Sequence, residues 1–350
     1  MKRIRVKAAR PYDVYIRRGM LNDAHTMIRA LKKDARCMVV TDSNVAPLYL
    51  DALADSLGAD TGSFIFPAGE QSKTLATFGN ILEHMAASGF TRADLVVALG
   101  GGVVGDTAGF ASACYLRGID YVQIPTTFLS AIDSSVGGKT AIDLAAGKNL
   151  AGAFLQPSLV LIDPDVFQTL PAPVFNEGTA EALKHGVLYD SALFETLATG
   201  DFKKDMESVV YRNVELKAAV VQKDERDTGE RRMLNLGHTF GHAVEACSGF
   251  SLYHGEGVAI GMLMAARISE RLGVASPGLS DTIRQALLQN HLPTDCAFDA
   301  EALCRAARID KKRMGDTLTL ILIKRIGECV PYDIPVSDLL SVMKMAVGTA

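Results

Sequence analysis

The sequence predicts an α/β domain followed by a helical domain, and three observations carry that prediction. Short apolar runs alternate with helical periods through the first half of the 350 residues. Three prolines crowd "IDPDVFQTLPAPVFNEG" at 162–178. Beyond them almost every segment has the 3.6-residue period of a helix. A chain of this length can hold two domains with substantial cores, which the proline-rich stretch divides into 1–170 and 171–350.

Taken in order, "IRVKAA" and "YDVYIRRG", before residue 20, form a leading hairpin. The runs "RCMVVTD", "GSFIFP", "DLVVALGGG", "DYVQIP" and "SLVLID" are rich in Val, Ile and Phe and close on Gly, Pro or Asp, the pattern of buried strands. Between them lie helical stretches such as 72–88, where Leu75, Phe78, Ile81, Leu82 and Met85 share one face. Strand and helix in alternation imply a mostly parallel sheet covered on both faces. The second domain reads as helices over about 177–198, 203–223, 230–247, 255–272 and 278–290, then a β-like pair near 317–331 and a last helix.

Composition narrows the function. With 22% charged residues and a formal net charge of -4, the chain offers no electrostatic reason to bind nucleic acid or an anionic membrane. Its first residues, "MKRIRVKAARPYDVYI", are charged throughout and unlike a secretory signal. No uncharged apolar run reaches the roughly 18 residues of a spanning helix. Six cysteines at 37, 114, 247, 296, 304 and 329 form no C-x-x-C pair, which suits free thiols in a reducing cytoplasm.

Several strand ends carry chemistry. Gly100, Gly102 and Gly105 have G-x-G-x-x-G spacing after a strand, where backbone N–H groups and a helix N-terminus can receive a pyrophosphate. Asp42 in "TDSNVAP" could accept from ribose hydroxyls, and Glu70 and Lys73 in "GEQSK" could reach the same ligand, although each loop alone reads as a capped turn. The stretch 124–154 sets Thr126, Thr127, Asp133, Lys139, Lys148 and Asn149 among small residues. Two lysines beside glycines fit contact with a phosphate or carboxylate.

In the helical half, Glu181, Lys184 and His185 fall at i, i+3 and i+4. Arg231, Asn235, His238 and His242 fall at i, i+4, i+7 and i+11, a single polar stripe on one helix. His238 and His242 have zinc-pair spacing, but Thr239 stands where the glutamate of a metalloprotease motif belongs. His254 follows in "LYHGEGVAIGM". Three histidines with nearby carboxylates suffice for an open zinc site, and spacing alone leaves open which of them bind.

These motifs, "GGGVVGD", "PTTFLSAIDSSVGGKTAID", "GKN", "EGTAEALKHG", "KDERDTGERRMLNLGHTFGHAVE" and "YHGEGVAIGM", closely resemble in sequence and order the 3-dehydroquinate synthase family of the shikimate pathway. The resemblance implies a Rossmann-like NAD-binding domain followed by an all-α metal- and substrate-binding domain. It further implies catalytic NAD, one divalent metal (zinc or cobalt) and a homodimer. Carried onto this chain, it assigns Glu181, His238 and His254 to the metal. It assigns Asp42, Asn44, Glu70, Lys73, Gly101, Gly102, Val103, Asp106, Thr126, Thr127, Lys139, Lys148 and Thr169 to NAD. Asp133, Lys139, Lys184, Lys217, Arg231, Asn235 and His242 become catalytic residues, and Lys148, Asn149 and Arg117 substrate contacts, Arg117 from a partner subunit. One of Lys311 and Lys312 would also reach substrate. The implied reaction converts 3-deoxy-D-arabino-heptulosonate 7-phosphate to 3-dehydroquinate and phosphate. Competing readings are a sister cyclase of the 2-deoxy-scyllo-inosose or valiolone type, a metal-dependent polyol dehydrogenase, and a catalytically silent nucleotide-binding regulator.

Overall fold

A computed structural model describes residues 1–310 and 316–347. The chain divides into two compact units, the first made of Met1–Leu170 with Met206–Arg226, the second of Pro171–Asp205 with Asp227–Ala350.

The first unit is built on a seven-stranded sheet. Its strands are β1 (Lys2–Val6), β2 (Tyr12–Ile16), β3 (Cys37–Asp42), β4 (Thr61–Phe66), β5 (Leu95–Gly100) and β6 (Asp120–Pro125). A hairpin outside the sheet supplies β7 (Lys139–Leu144) and β8 (Gly147–Phe154), and β9 (Leu159–Ile162) returns to it. The order is β1-β2-β9-β6-β5-β3-β4, antiparallel only between β1 and β2.

The strands show why this sequence makes a two-faced sheet. Val39, Val97, Leu99, Ile124 and Leu161 point to one side, where Met20, Ala24 and Ile28 of the helix Met20–Leu31 and Leu50, Leu53 and Leu57 of the helix Ala46–Leu57 cover them. Met38, Val40, Val96, Ala98 and Tyr121 point to the other, under Ile81 and Met85 of the helix Leu75–Ala87 and Val104, Ala108 and Ala111 of the helix Gly102–Cys114. Successive strand residues alternate sides, so a strand buried on both needs an unbroken apolar run. β3 and β5 are neighbours, while β4 lies outside β3 and β6 beyond β5. The chain therefore reverses its direction of travel across the sheet at the β3/β5 junction, and the crevice at such a reversal is where parallel sheets bind ligands.

Three expectations need correction. The helix Met206–Lys223 belongs to the first unit, not to a domain beginning at 171. Its side chains are held there by Lys2 Nζ donating to Ser208 Oγ at 2.9 Å and Lys217 Nζ donating to Asp133 Oδ1 at 2.6 Å. The stretch 177–198 is two helices, Ala172–Tyr189 and Ser191–Ala198, because Asp190 Oδ1 caps the second by accepting from the backbone of Ala192 and Leu193. The stretch 230–247 is a 3-10 turn, Glu230–Asn235, and a separate helix, His238–Cys247. Gly237 breaks it at φ 79°, with no room for a side chain: an added Cβ would lie 2.8 Å from Met262 N. Arg231, Asn235, His238 and His242 thus share no continuous helical face.

The second unit is helical, with the β pair expected near 317–331 present as one antiparallel hairpin, β10 (Thr317–Arg325) and β11 (Glu328–Pro335). Among the described residues no helix is long and apolar enough to cross a membrane.

Candidate metal centre and cofactor site

Three side chains of the second unit converge. Glu181, on the helix Ala172–Tyr189, is fully buried. His238 opens the helix after Gly237, and His254 opens the helix His254–Arg271. Glu181 Oε1 lies 3.6 Å from His238 Nε2 and 3.3 Å from His254 Nε2, and the three ligand atoms are within 4.8 Å of one another. Neither carboxylate oxygen of Glu181 receives a well-directed hydrogen bond, though its Oε2 is ion-paired with Lys184, itself only 2% exposed. A buried carboxylate facing two imidazole nitrogens is a donor set for zinc or cobalt, with room in the coordination sphere for a substrate oxygen.

The ring orientations agree with that use. His238 Nδ1 is 3.2 Å from the Leu236 carbonyl oxygen, leaving Nε2 toward Glu181. Burial and the Lys184 ammonium both push the His238 imidazole well below its usual range, so its Nε2 lone pair is available. Burial acts to raise the Glu181 carboxyl, but Lys184 and the two histidines outweigh it and hold the group well below the carboxylate range. For His254, burial is outweighed by the facing carboxylates of Glu181 and Glu245, and the imidazole is pushed up to about 10. A cation on His254 Nε2 takes the place of a proton there.

His242 stands one turn beyond His238 with an exposed side chain, its ring centroid 5.4 Å from that of His238 and 6.1 Å from that of His254. Arg231 is buried and Asn235 exposed on the preceding 3-10 turn.

In the first unit, Asp42 closes β3 and its Oδ1 accepts from the backbone of Asn44 at 2.8 Å and Val45 at 3.0 Å, so the carboxylate caps its own turn. Asn44 itself is exposed. Gly101 precedes the helix Gly102–Cys114, whose N-terminus carries no side-chain cap. Its first N–H groups, including that of Val103, suit a diphosphate. Gly101 and Gly102 are also tight: a Cβ would lie 3.1 Å from Thr127 Cγ2 and 3.3 Å from Ser134 Oγ respectively. Thr126 and Thr127 follow β6, with Thr126 Oγ1 buried and unpartnered and Thr127 Oγ1 capping the short helix after it. Asp42 and the glycine loop therefore end the two strands at the reversal point of the sheet, a fit for a dinucleotide.

The other residues form pairs that the sequence did not disclose. Lys73 Nζ, buried, donates to Asp106 Oδ2 at 2.7 Å and to Asn149 Oδ1 at 2.5 Å. Glu70 and Lys73 line a cavity of about 380 Å³ with Asp143. Lys217 Nζ donates to the carboxylate and the backbone carbonyl of Asp133. Lys139 and Lys148 are exposed on the β7/β8 hairpin, and Asn149 beside them is left-handed at φ 56°. Arg117 is exposed in a turn where Leu116, Arg117 and Gly118 all have positive φ. Thr169 Oγ1 lies 2.9 Å from Tyr49 Oη. Lys311 and Lys312 lie outside the described residues. The sequence reading passed over Glu245, whose carboxylate is 3.1 Å from His254 Nδ1.

The family models described as 3-dehydroquinate synthase N-terminal and C-terminal match residues 63–177 and 178–313. A 3-dehydroquinate synthase of Clostridium botulinum is 40% identical over 91% of this chain and 93% of its own length. One of Nitrobacter hamburgensis is 46% identical over 92% of this chain and 89% of its own. The chain belongs to the 3-dehydroquinate synthase family. Among solved structures, a 2-deoxy-scyllo-inosose synthase with carbaglucose-6-phosphate, NAD+ and Co2+ shares the fold at a TM-score of 0.87 and 24% identity, covering 99% of this chain and 100% of that one. A 2-epi-5-epi-valiolone synthase from Streptomyces hygroscopicus with NAD+ and Zn2+ gives a TM-score of 0.85 at 26% identity, with 96% of each chain covered. Within the 3-dehydroquinate synthase family, the Glu181, His238 and His254 cluster and the open glycine loop are the features of this chain that suit a metal and a dinucleotide.

Proposed function

We propose that this chain is a 3-dehydroquinate synthase, a carbon–oxygen lyase that converts 3-deoxy-D-arabino-heptulosonate 7-phosphate to 3-dehydroquinate and phosphate in the shikimate pathway. The identity of 40–46% to curated synthases over nine tenths of the chain carries the reading. NAD and one zinc or cobalt ion are its cofactors. Bound NAD would supply a hydride acceptor and donor, and the cation would supply stabilisation of negative charge on an alcohol oxygen, with no net redox change.

The chain's own residues hold and orient. Glu181, His238 and His254 hold the cation, and Lys184 offsets the buried charge of Glu181. The uncapped helix N-terminus at Gly102 takes the NAD diphosphate beside Thr126 and Thr127. The remaining NAD contacts are Asp42, Asn44, Glu70, Lys73, Asp106 and Thr169. Lys139, Lys148, Asn149, Arg231 and Asn235 take the anionic groups and hydroxyls of the substrate, which is preorganisation more than acid–base work. Asp133, ion-paired with the ammonium of Lys217, accepts from a substrate hydroxyl. His242, an exposed imidazole, is placed to relay a proton or to hydrogen-bond the substrate. In a homodimer Arg117 reaches the phosphate bound by the partner, and the enzyme works in the cytoplasm.

Release of inorganic phosphate from the heptulosonate phosphate tests the reading. It is expected with NAD and zinc together, to stop with a chelator and to return with zinc. No phosphate release with both cofactors present rejects it. Release from glucose 6-phosphate or sedoheptulose 7-phosphate in its place assigns the chain to a sister cyclase, and steady accumulation of NADH assigns it to a dehydrogenase.

A further inference from the structure

We propose that Glu245 is a positioning residue that locks the His254 ring with Nε2 toward Glu181, and that position 257 is glycine because the Glu245 carboxylate occupies the space its Cβ would fill. The proposal rests on the metal reading above and concerns a residue to which that reading gives no role.

The geometry starts at His254. One ring nitrogen, Nε2, lies 3.3 Å from Glu181 Oε1, and the other, Nδ1, lies 3.1 Å from Glu245 Oε1. A single cation can use only one of two nitrogens on opposite edges of a ring. With Nε2 committed to Glu181, Nδ1 carries the hydrogen and donates it to Glu245. His238 follows the same scheme, with its Nδ1 3.2 Å from the Leu236 carbonyl oxygen. Both histidines thus present Nε2 inward, one braced by a backbone carbonyl and the other by a carboxylate. Such bracing sets the tautomer and the ring angle and raises the basicity of the ligating nitrogen.

Glu245 is itself held in place. It lies on the helix His238–Cys247 and is 4% exposed, so its carboxylate cannot swing into solvent. Across from it, on the helix that His254 opens, an added Cβ at Gly257 would lie 2.8 Å from Glu245 Oε1, 2.9 Å from its Cγ and, less tightly, 3.1 Å from Gly241 O. Gly257 is not among the residues of positive φ, so its backbone conformation does not require glycine. What requires it is space. The two helices approach closely elsewhere too, since a Cβ at Gly241 would meet Gly257 O at 2.7 Å and one at Gly261 would overlap Gly237 O. This close packing brings a carboxylate from one helix under the first residue of the next. His242, Glu245 and His254 also have ligand atoms within 4.8 Å of one another, so direct ligation by Glu245 is the alternative the experiment must separate.

The test measures zinc affinity by competition with a chromogenic chelator, on full-length protein stripped of metal and reloaded. Visible spectra of the cobalt form report the ligand set, and circular dichroism reports folding. Glu245→Ala is expected to weaken zinc binding by about 10- to 100-fold, the effect typical of removing a partner that orients a ligand. Glu245→Gln, whose amide oxygen still accepts from Nδ1, should weaken it less and keep the cobalt bands of the parent. Gly257→Ala should weaken zinc binding in the parent and have less effect in the Glu245→Ala background, where the carboxylate is gone and only the Gly241 O contact at 3.1 Å remains. Equal zinc affinity in parent and Glu245→Ala overturns the proposal. So does a Glu245→Gln protein as poor as His254→Ala with altered cobalt bands, which makes Glu245 a ligand. If His238→Ala binds zinc as well as the parent does, the metal reading has failed and the proposal falls with it. Zinc lost in His238→Ala but unchanged in Glu245→Ala rejects the positioning role alone.

Discussion

Replacing Glu181 should separate metal binding from stability, and the size of each effect follows from its surroundings. The carboxylate is 0% exposed and is ion-paired with Lys184, itself 2% exposed. Glu181→Ala therefore removes one of the three proposed metal ligands and strands a buried ammonium. Breaking a buried ion pair from one side costs about 3–5 kcal/mol. In a unit of this size each kcal/mol moves the midpoint by roughly 2–4 °C, so metal-free Glu181→Ala should melt roughly 6–20 °C below the metal-free parent. Zinc content should fall to background. The paired substitution Glu181→Leu with Lys184→Met replaces the ion pair with apolar groups of similar volume, which is often neutral or stabilising. It should recover most of the lost thermal stability while still binding no zinc. Calorimetry and metal analysis on the same samples read both quantities. A Glu181→Ala protein that retains one zinc per chain refutes the ligand assignment, and a double variant as unstable as the single refutes the account of Lys184.

Two further outcomes follow from the same structure. His242→Ala should keep its zinc and lose turnover, because the exposed ring stands beside the centre without belonging to the Glu181, His238 and His254 group; loss of zinc on metal analysis contradicts this. Asp94 accepts from Arg36 N and Nη2 and from Thr91 N and Oγ1. Burial acts to raise its carboxyl, but these donors outweigh it and hold it below the ordinary aspartate value. Its stabilisation is thus present above the unfolded pKa and lost as the pH falls through the folded one. Asp94→Asn should cost about 1–2 kcal/mol at neutral pH, discounted because Arg36 is partly solvated. In urea titrations the difference from the parent should close in acid, and a difference independent of pH contradicts the assignment.

Much of the fold was legible because the strands carry their own signal. A strand buried on both faces must be apolar along its length, and "RCMVVTD" and "DLVVALGGG" show this directly as β3 and β5. Helix ends were harder. The stretch 230–247 has helical periodicity throughout, yet Gly237 breaks it at positive φ, where the neighbouring helix leaves no space for a side chain. Periodicity reports a side chain's local neighbours and says nothing of a backbone pressed against another element.

The same division holds at the metal centre. Residue types alone marked His238, His242 and His254 with nearby carboxylates as possible ligands, since few side chains offer a neutral nitrogen or a carboxylate to zinc, and the family resemblance pointed to Glu181. Spacing put His238 with His242, whereas the fold joins His238 to two residues 57 positions before it and 16 after it. Chemistry is written residue by residue, so the sequence determined which atoms could bind. Which atoms meet depends on how closely helices pack, and here on Gly237, Gly241, Gly257 and Gly261, where a missing Cβ lets one backbone approach another. Glu245 shows the limit most plainly: nothing in "GHAVE" points to His254, and only the close approach of two helices places them 3.1 Å apart.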